Sequence, residues 1–527
     1  MSARTEAARP VGSVLGSSDP AKLQPKPLDR RSHSDYDSAG LASVILRLGA
    51  RSKSAPPDSR LAKGEGQMSN RILVTILCML FTNVILVGSA SAQGSQPYPN
   101  ATTDRLIHQE TPMVPPPKNV VFTDPDFGSS MVRATDPTTN FKLPGTFLRT
   151  EASGKANEWS ADTKKFYVLG KGGWDFGFAF DTTTMAISSL PNAGAGMGLL
   201  IPLRPGPTFS FVDPDLIYGT SNPDTLTITS YRFSTGASTP VIDTRTCGVQ
   251  PPLGSGKVVS DDDVSLSLDD NRVSISEGGS EAGKHMFVIV YDKNLGCRWY
   301  NTQTGQIGGP WGATGTATVT TPYLIDHAYI SRSGNYVLIL ANQANWSGWY
   351  VWDLSTLNIS ACQLHPKTNN QCGGYEVAGY NSIVNGPAIT GDMQVAQRPL
   401  NNLSQISQLA LPVLFDWGQA QHFTWSNVNV DDTTPVCGST YSYDGDTTID
   451  QPFAGEIFCV ETDGLASTVW RFAHNRATYI GPFFQTQPLG NVSMDGRFFL
   501  FTSDWDAQLG IEADGAPLSD VFIVELD

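Results

Sequence analysis

Two histidines and an aspartate stand at matching places in this chain. His327 precedes Ser331 by four residues, His422 precedes Ser426 by four, and Asp263 precedes Ser267 by four. Imidazole nitrogens and carboxylate oxygens are the donors that divalent metals take, so this set at one rim would be competent to hold a divalent ion, with Gln487 as a fourth ligand. His474, in the run Trp470 to Arg476, could reach the same place through a loop. A plainer reading stands beside this one. Each histidine would cap a strand by bonding a nearby carbonyl, Asp263 would belong to the exposed Asp261–Asp263 turn, and His474 would be a surface loop residue. The other matching places hold Ala156, Thr208 and Leu489, so the set is not uniformly polar.

Whether these side chains meet depends on the elements that carry them. The clearest element is Gly490 to Ser503, where Ser493-Met494-Asp495-Gly496 links an apolar strand to an alternating one. Asp-Gly supplies the positive φ that a tight hairpin needs. Trp159-Ser160-Ala161-Asp162 is a second well-kept copy, and Ser331-Arg332-Ser333-Gly334 and Ser426-Asn427-Val428-Asn429 are weaker ones. Recurrence at roughly 40 to 55 residues points to the blades of a β-propeller. Seven units fit the length, with six or eight as alternatives, and the unit from Tyr375 to about Pro412 is the least regular. Two strand-like segments, Val120–Asp124 and Ser130–Thr135, precede the first repeat. Added to the last blade, they would close the ring and leave no exposed edge. Equivalent positions of successive blades circle the axis, which would bring His327, His422 and Asp263 to one height near a channel mouth.

With these hairpins the chain resembles the TolB-like and WD40-like secreted propellers, whose repeats carry Trp-Ser-Pro-Asp-Gly. The resemblance covers most of residues 120–527 and implies an all-β fold. The last two blades are also similar to oligogalacturonate lyase, a propeller enzyme in which His and Gln side chains hold a divalent metal. This chain departs from that pattern after Gln485-Thr486-Gln487-Pro488: Leu489 and Gly490 stand where the lyases have histidines. The ligand set implied by that resemblance is therefore incomplete.

Ahead of the propeller, residues 1–67 are rich in Ser, Ala, Pro and Arg and read as a disordered leader. Met68 to Ala92 has the basic start, apolar middle and small-residue end of a secretory signal peptide, with cleavage expected after Ala92 and translation starting at Met68. The rival reading makes Ile72–Val87 a membrane anchor, for which the run is short. Residues 93–118 read as an extended linker and 119–527 as the propeller. Six cysteines follow the signal, and pairing between neighbours (247–297, 362–372, 437–459) is one of the fifteen possible connectivities. The net charge of −15 becomes more negative on the exported part, since residues 1–71 hold 12 Lys/Arg against 7 Asp/Glu. That balance argues against nucleic acid and anionic membranes as partners. Tyr350 and Trp352 could stack on sugar rings, although their alternation equally suits a packed strand.

Two functions follow. One is a secreted, monomeric, non-catalytic propeller, extracellular or periplasmic, that binds or scaffolds a glycan, peptide or protein ligand. The other is a divalent-metal-dependent carbohydrate-active enzyme with its site at the channel mouth, the ion stabilising a uronate carboxylate.

Overall fold

The computed structural model describes residues 97–527 apart from 152–155, 195–196, 221–225, 250–263, 279–284, 343–347, 364–375, 386–394, 410–418, 443–448, 450, 464–467 and 479–482. The segments expected to be a leader and a signal peptide, and Asp263, lie outside the described residues. The rest forms seven antiparallel sheets, six of them built from strands consecutive in the chain. Blades 1 to 6 begin with the inner strands Leu148–Arg149, Arg204–Phe209, Ser265–Leu266, Leu324–Ile330, Val377–Ala378 and Gln419–Thr424. Blade 7 runs outward through Gly490–Val492, Phe498–Ser503 and Asp520–Glu525. Its next strand is Ser130–Arg133, with Met131 opposite Val524 and Arg133 opposite Phe522, and Val121–Thr123 completes the sheet. The ring thus closes by the two N-terminal strands expected from sequence. Two short 3₁₀ turns, Thr244–Cys247 and Phe484–Thr486, are the helical elements among the described residues.

The run Phe498-Phe499-Leu500-Phe501 shows why these strands are apolar on both faces. Phe498 and Leu500 enter a cluster with blade 1, whereas Phe499 and Phe501 enter one with blade 6. A strand turns alternate side chains to opposite faces, and each face of a blade packs on a neighbouring blade. The described core is accordingly seven clusters, one at each junction between adjacent blades. Tyr350 and Trp352 belong to the junction of blades 3 and 4, where Tyr350 stacks on Tyr323 at 4.3 Å between centroids. Their alternation is that of a packed strand.

The hairpins that join the inner strand to the next in blades 7, 1 and 3 use one device. Ser493 Oγ donates to Asp495 Oδ1 (2.6 Å) and accepts from the Phe498 amide (3.0 Å), while Gly496 takes φ +75°. Ser160 and Ser267 repeat these bonds with Asp162 and Asp269, and Thr163 and Asp270 hold the positive φ. In blade 2 the matching serine is Ser210, whose amide bonds Leu216 across a turn one residue longer. The place four residues earlier is therefore Gly206, and not Thr208.

Cys247 bonds Cys297, linking blade 2 to blade 3, and Cys437 bonds Cys459 across facing strands of blade 6. Cys362 is also disulfide-bonded, and Cys372 lies outside the described residues. Residues 97–118 run along blades 6 and 7. Tyr98 is buried against Trp470 and Phe472, and its hydroxyl donates to the Gly496 carbonyl (3.1 Å). Further on, the carbonyls of Asp104, Leu106 and Thr111 accept from Arg471 and Arg476, and that of Met113 from the Trp505 indole. A segment with little ladder of its own has its backbone acceptors satisfied by propeller side chains.

Candidate functional site

His327 and His422 both lie on inner strands, yet they face different junctions. Ala328 and Ile330 pack towards blade 3, so His327 and Tyr329 turn towards blade 5, and the His327 ring meets Trp349 edge-on at 5.2 Å. Its Nδ1 lies 2.9 Å from the Asp326 carboxylate. Asp326 is the extra residue of a bulge in the pairing with Tyr336–Asn342, which leaves its carboxylate partly exposed while the imidazole is buried. His422 stacks on Tyr441 and shares a 2.8 Å hydrogen bond with its hydroxyl. Phe423 next to it packs towards blade 5, which sets His422 on the blade 7 side. The four-residue spacing places both imidazoles mid-strand, but the pleat sends them into separate junctions. Among the described residues, which do not include Asp263, no three His, Cys, Asp or Glu side chains converge on a metal position.

Gln487 ends the 3₁₀ turn before the inner strand of blade 7 and is buried, with Oε1 lacking a hydrogen-bond partner. His474 closes the outermost strand of blade 6, three strand spacings, about 14 Å, from the inner strand. It packs edge-on against Phe127 at 5.1 Å, with Nε2 3.7 Å from Asp126, in the wall beneath residues 104–127 rather than at the channel. Neither ring nitrogen has a hydrogen-bond partner, and burial pushes the imidazole down to about 3, with Asp126 opposing. A lowered histidine means that the unfolded chain binds the proton first. Stability from this group should therefore be full above pH 6.5 and decline as pH falls towards 3, by up to about 5 kcal/mol. Thermal melts from pH 7 to 4 should show the decline in wild type, and His474→Phe should flatten it.

Two carboxyls escaped sequence reading. Asp326 was hidden because a bulge carries no sequence mark. Glu376, just before the inner strand of blade 5, is buried with both oxygens lacking a hydrogen-bond partner, and burial pushes its carboxyl well above the usual range.

At the hairpin end of the channel, the residues that follow the turn serines reach across the axis. Arg332 of blade 4 lies over the Phe211 ring of blade 2, 4.5 Å from its centroid. Met494 of blade 7 packs on the cluster of blades 2 and 3 and lies 3.6 Å from Asn157 Nδ2 of blade 1. Blades that are not neighbours in a ring can meet in this way only across its centre. Beside this mouth, a cavity of about 340 Å³ opens between blades 6 and 7, walled by Tyr98, Asn427, Met494, Asp495, Arg497 and Asp527 among others. The Asn427 side chain presents a buried Oδ1 and Nδ2 without hydrogen-bond partners.

These features define an all-β, seven-bladed propeller with a groove at its hairpin face. Among solved structures it is similar to oligogalacturonate lyase from Vibrio parahaemolyticus, at 12% identity and a TM-score of 0.48, covering 77% of this chain and 96% of that one. Hydrazine synthase from Kuenenia stuttgartiensis follows at 10% identity and a TM-score of 0.39, covering 71% of this chain and 96% of that one. The WD40 repeats of RRP9 are similar at 11% identity and a TM-score of 0.36, covering 72% and 97%. No family model and no curated protein matches the chain.

Proposed function

We propose that this protein is a binding or scaffold propeller of an oxidising compartment outside the cytoplasm, and that it takes its ligand, a glycan, peptide or protein, in the groove between blades 6 and 7. The observation that carries this reading is the groove itself. Its volume of about 340 Å³ lies in the range of ligand sites, and it combines apolar walls (Pro97, Met494, Pro435) with the unpartnered amide of Asn427. The disulfides support export, since such bonds persist in oxidising compartments. Titration of the purified chain against oligosaccharide and peptide panels should find a saturable ligand. Asn427→Ala and Met494→Trp, the first removing the amide and the second filling the groove, should each weaken it about tenfold or more. Binding that ignores both changes would remove the groove from consideration.

The enzymatic reading keeps one specific support, the buried and unpartnered Gln487 Oε1 beside the inner strand of blade 7. It requires Asp263 to supply a ligand. Stoichiometric divalent metal in the purified protein, lost in His327→Ala and His422→Ala, would favour it over the binding reading.

A further inference from the structure

Arg332 is 2% exposed and its backbone is fixed on both sides: its amide donates to the Gly379 carbonyl of blade 5, and its carbonyl accepts from Leu268 of blade 3. The backbone on either side is thus held, and the side chain cannot swing out to bulk water. Its Nη1 makes one long bond to the Leu266 carbonyl (3.3 Å), and Phe211 covers one face of the guanidinium. Nε and Nη2 have no hydrogen-bond partner among the described residues. The other buried arginines among the described residues have more partners or a carboxylate. Arg471 is held by Glu456 and Arg476 by Glu110, whereas Arg298 bonds the carbonyls of Trp311, Ala313 and Thr356, and Arg398 that of Leu403. A buried guanidinium without a carboxylate bears the full loss of its hydration. Burial accordingly lowers Arg332 to about 10, with Tyr329 the group that opposes the shift, so it remains charged at neutral pH.

We propose that Arg332 is an anion-binding residue at the hairpin-face mouth of the central channel, and that it takes a small carboxylate on its Nε–Nη2 edge. Those two donors lie side by side in one plane, the fork that grips a carboxylate through two parallel bonds. Phe211 belongs to the apolar cluster of blades 2 and 3, on which Leu268 and Met494 also pack, and Arg332 lies over its ring. A monoanion balances a single guanidinium, whereas a phosphate dianion would leave a buried charge uncompensated. Met494 borders both this mouth and the groove. The inference goes beyond the groove reading, because the anion site would exist whatever the groove binds.

The test is thermal unfolding of the purified full chain with sodium formate or acetate replacing chloride at constant ionic strength, beside saturation transfer from protein to the formate proton. Wild type should show a saturable rise of about 3 °C or more and a transfer signal. Arg332→Met should lose both while melting no lower than wild type without carboxylate, since an apolar side chain of similar length removes an uncompensated charge. Arg332→Lys keeps the charge but not the fork and should need about tenfold more formate. If Arg332→Met does not fold, the wild-type titration and the lysine variant decide. No saturable response in wild type, a response that survives Arg332→Met, or an unweakened response in Arg332→Lys overturns the proposal. A larger shift from phosphate than from formate overturns the carboxylate assignment. Loss of groove binding in Asn427→Ala with the formate response intact would separate the two sites.

Discussion

Val132→Asp should leave the propeller unable to close. Val132 is fully buried opposite Ile523, in the cluster that joins blade 7 to blade 1, and its strand is supplied by the N-terminal end of the chain. An aspartate there would place a carboxylate among Phe166, Phe498 and Leu500 with no cation beside it, a cost of about 4 kcal/mol or more. The consequence spreads, because the displaced strand bares the edge Asp520–Glu525 to water. The neighbouring strand provides the control: Val121 is 46% exposed, and Val121→Asp should change stability by about 0.5 kcal/mol or less. Chemical denaturation followed by circular dichroism would compare the two. Equal, small effects would mean that the ring is held shut elsewhere.

The legible parts of this chain are those where one local rule repeats. Ser493-Met-Asp-Gly496 is a complete instruction, since serine, aspartate and the positive-φ residue each have a bond or a dihedral to supply, and so the hairpins and the closing strands could be read in order. Blade 2 shows the limit. Its turn keeps the serine but adds a residue, and no local signal says that Ser210 rather than Val212 is the equivalent place. The candidate site was less legible because it depends on direction as well as position. Spacing puts His327 and His422 on inner strands, but each side chain faces a different junction, set by a bulge at Asp326 in one case and by the partner Tyr441 in the other. Arg332 was passed over for the opposite reason. It stood in view in Ser331-Arg332-Ser333-Gly334 as a mere departure from the motif, and its significance lies in the bonds it lacks, which only packing across the axis reveals.

Arg471 carries the second large effect. It and Glu456 face each other on outer strands of blade 6, both fully buried, with bonds of 2.7 and 2.6 Å from Nε and Nη2 to the two carboxylate oxygens. Its remaining nitrogen, Nη1, holds the Asp104 carbonyl and carboxylate and the Leu106 carbonyl. Arg471→Met should therefore do two things. It should cost about 3–5 kcal/mol by leaving a buried carboxylate alone, and it should loosen residues 104–106, which would appear as faster amide exchange or proteolysis there. Burial already raises Glu456, with Arg471 opposing. Without the arginine it rises further above its unfolded value, so the folded state holds a proton that the unfolded chain releases. Such a group loses stability as pH rises, and the defect of Arg471→Met should be smaller at pH 5 than at pH 8. The double variant Arg471→Met/Glu456→Leu removes both charges and should recover most of the stability, because an apolar pair of similar volume is often no worse than a buried ion pair. It should not recover protection at residues 104–106, whose carbonyls would still lack their donor. A double variant that restores both would show that the strap is held by shape alone, and one that restores neither would place the cost in packing around Phe127 and Phe453, which the guanidinium covers at 5.3 and 4.7 Å.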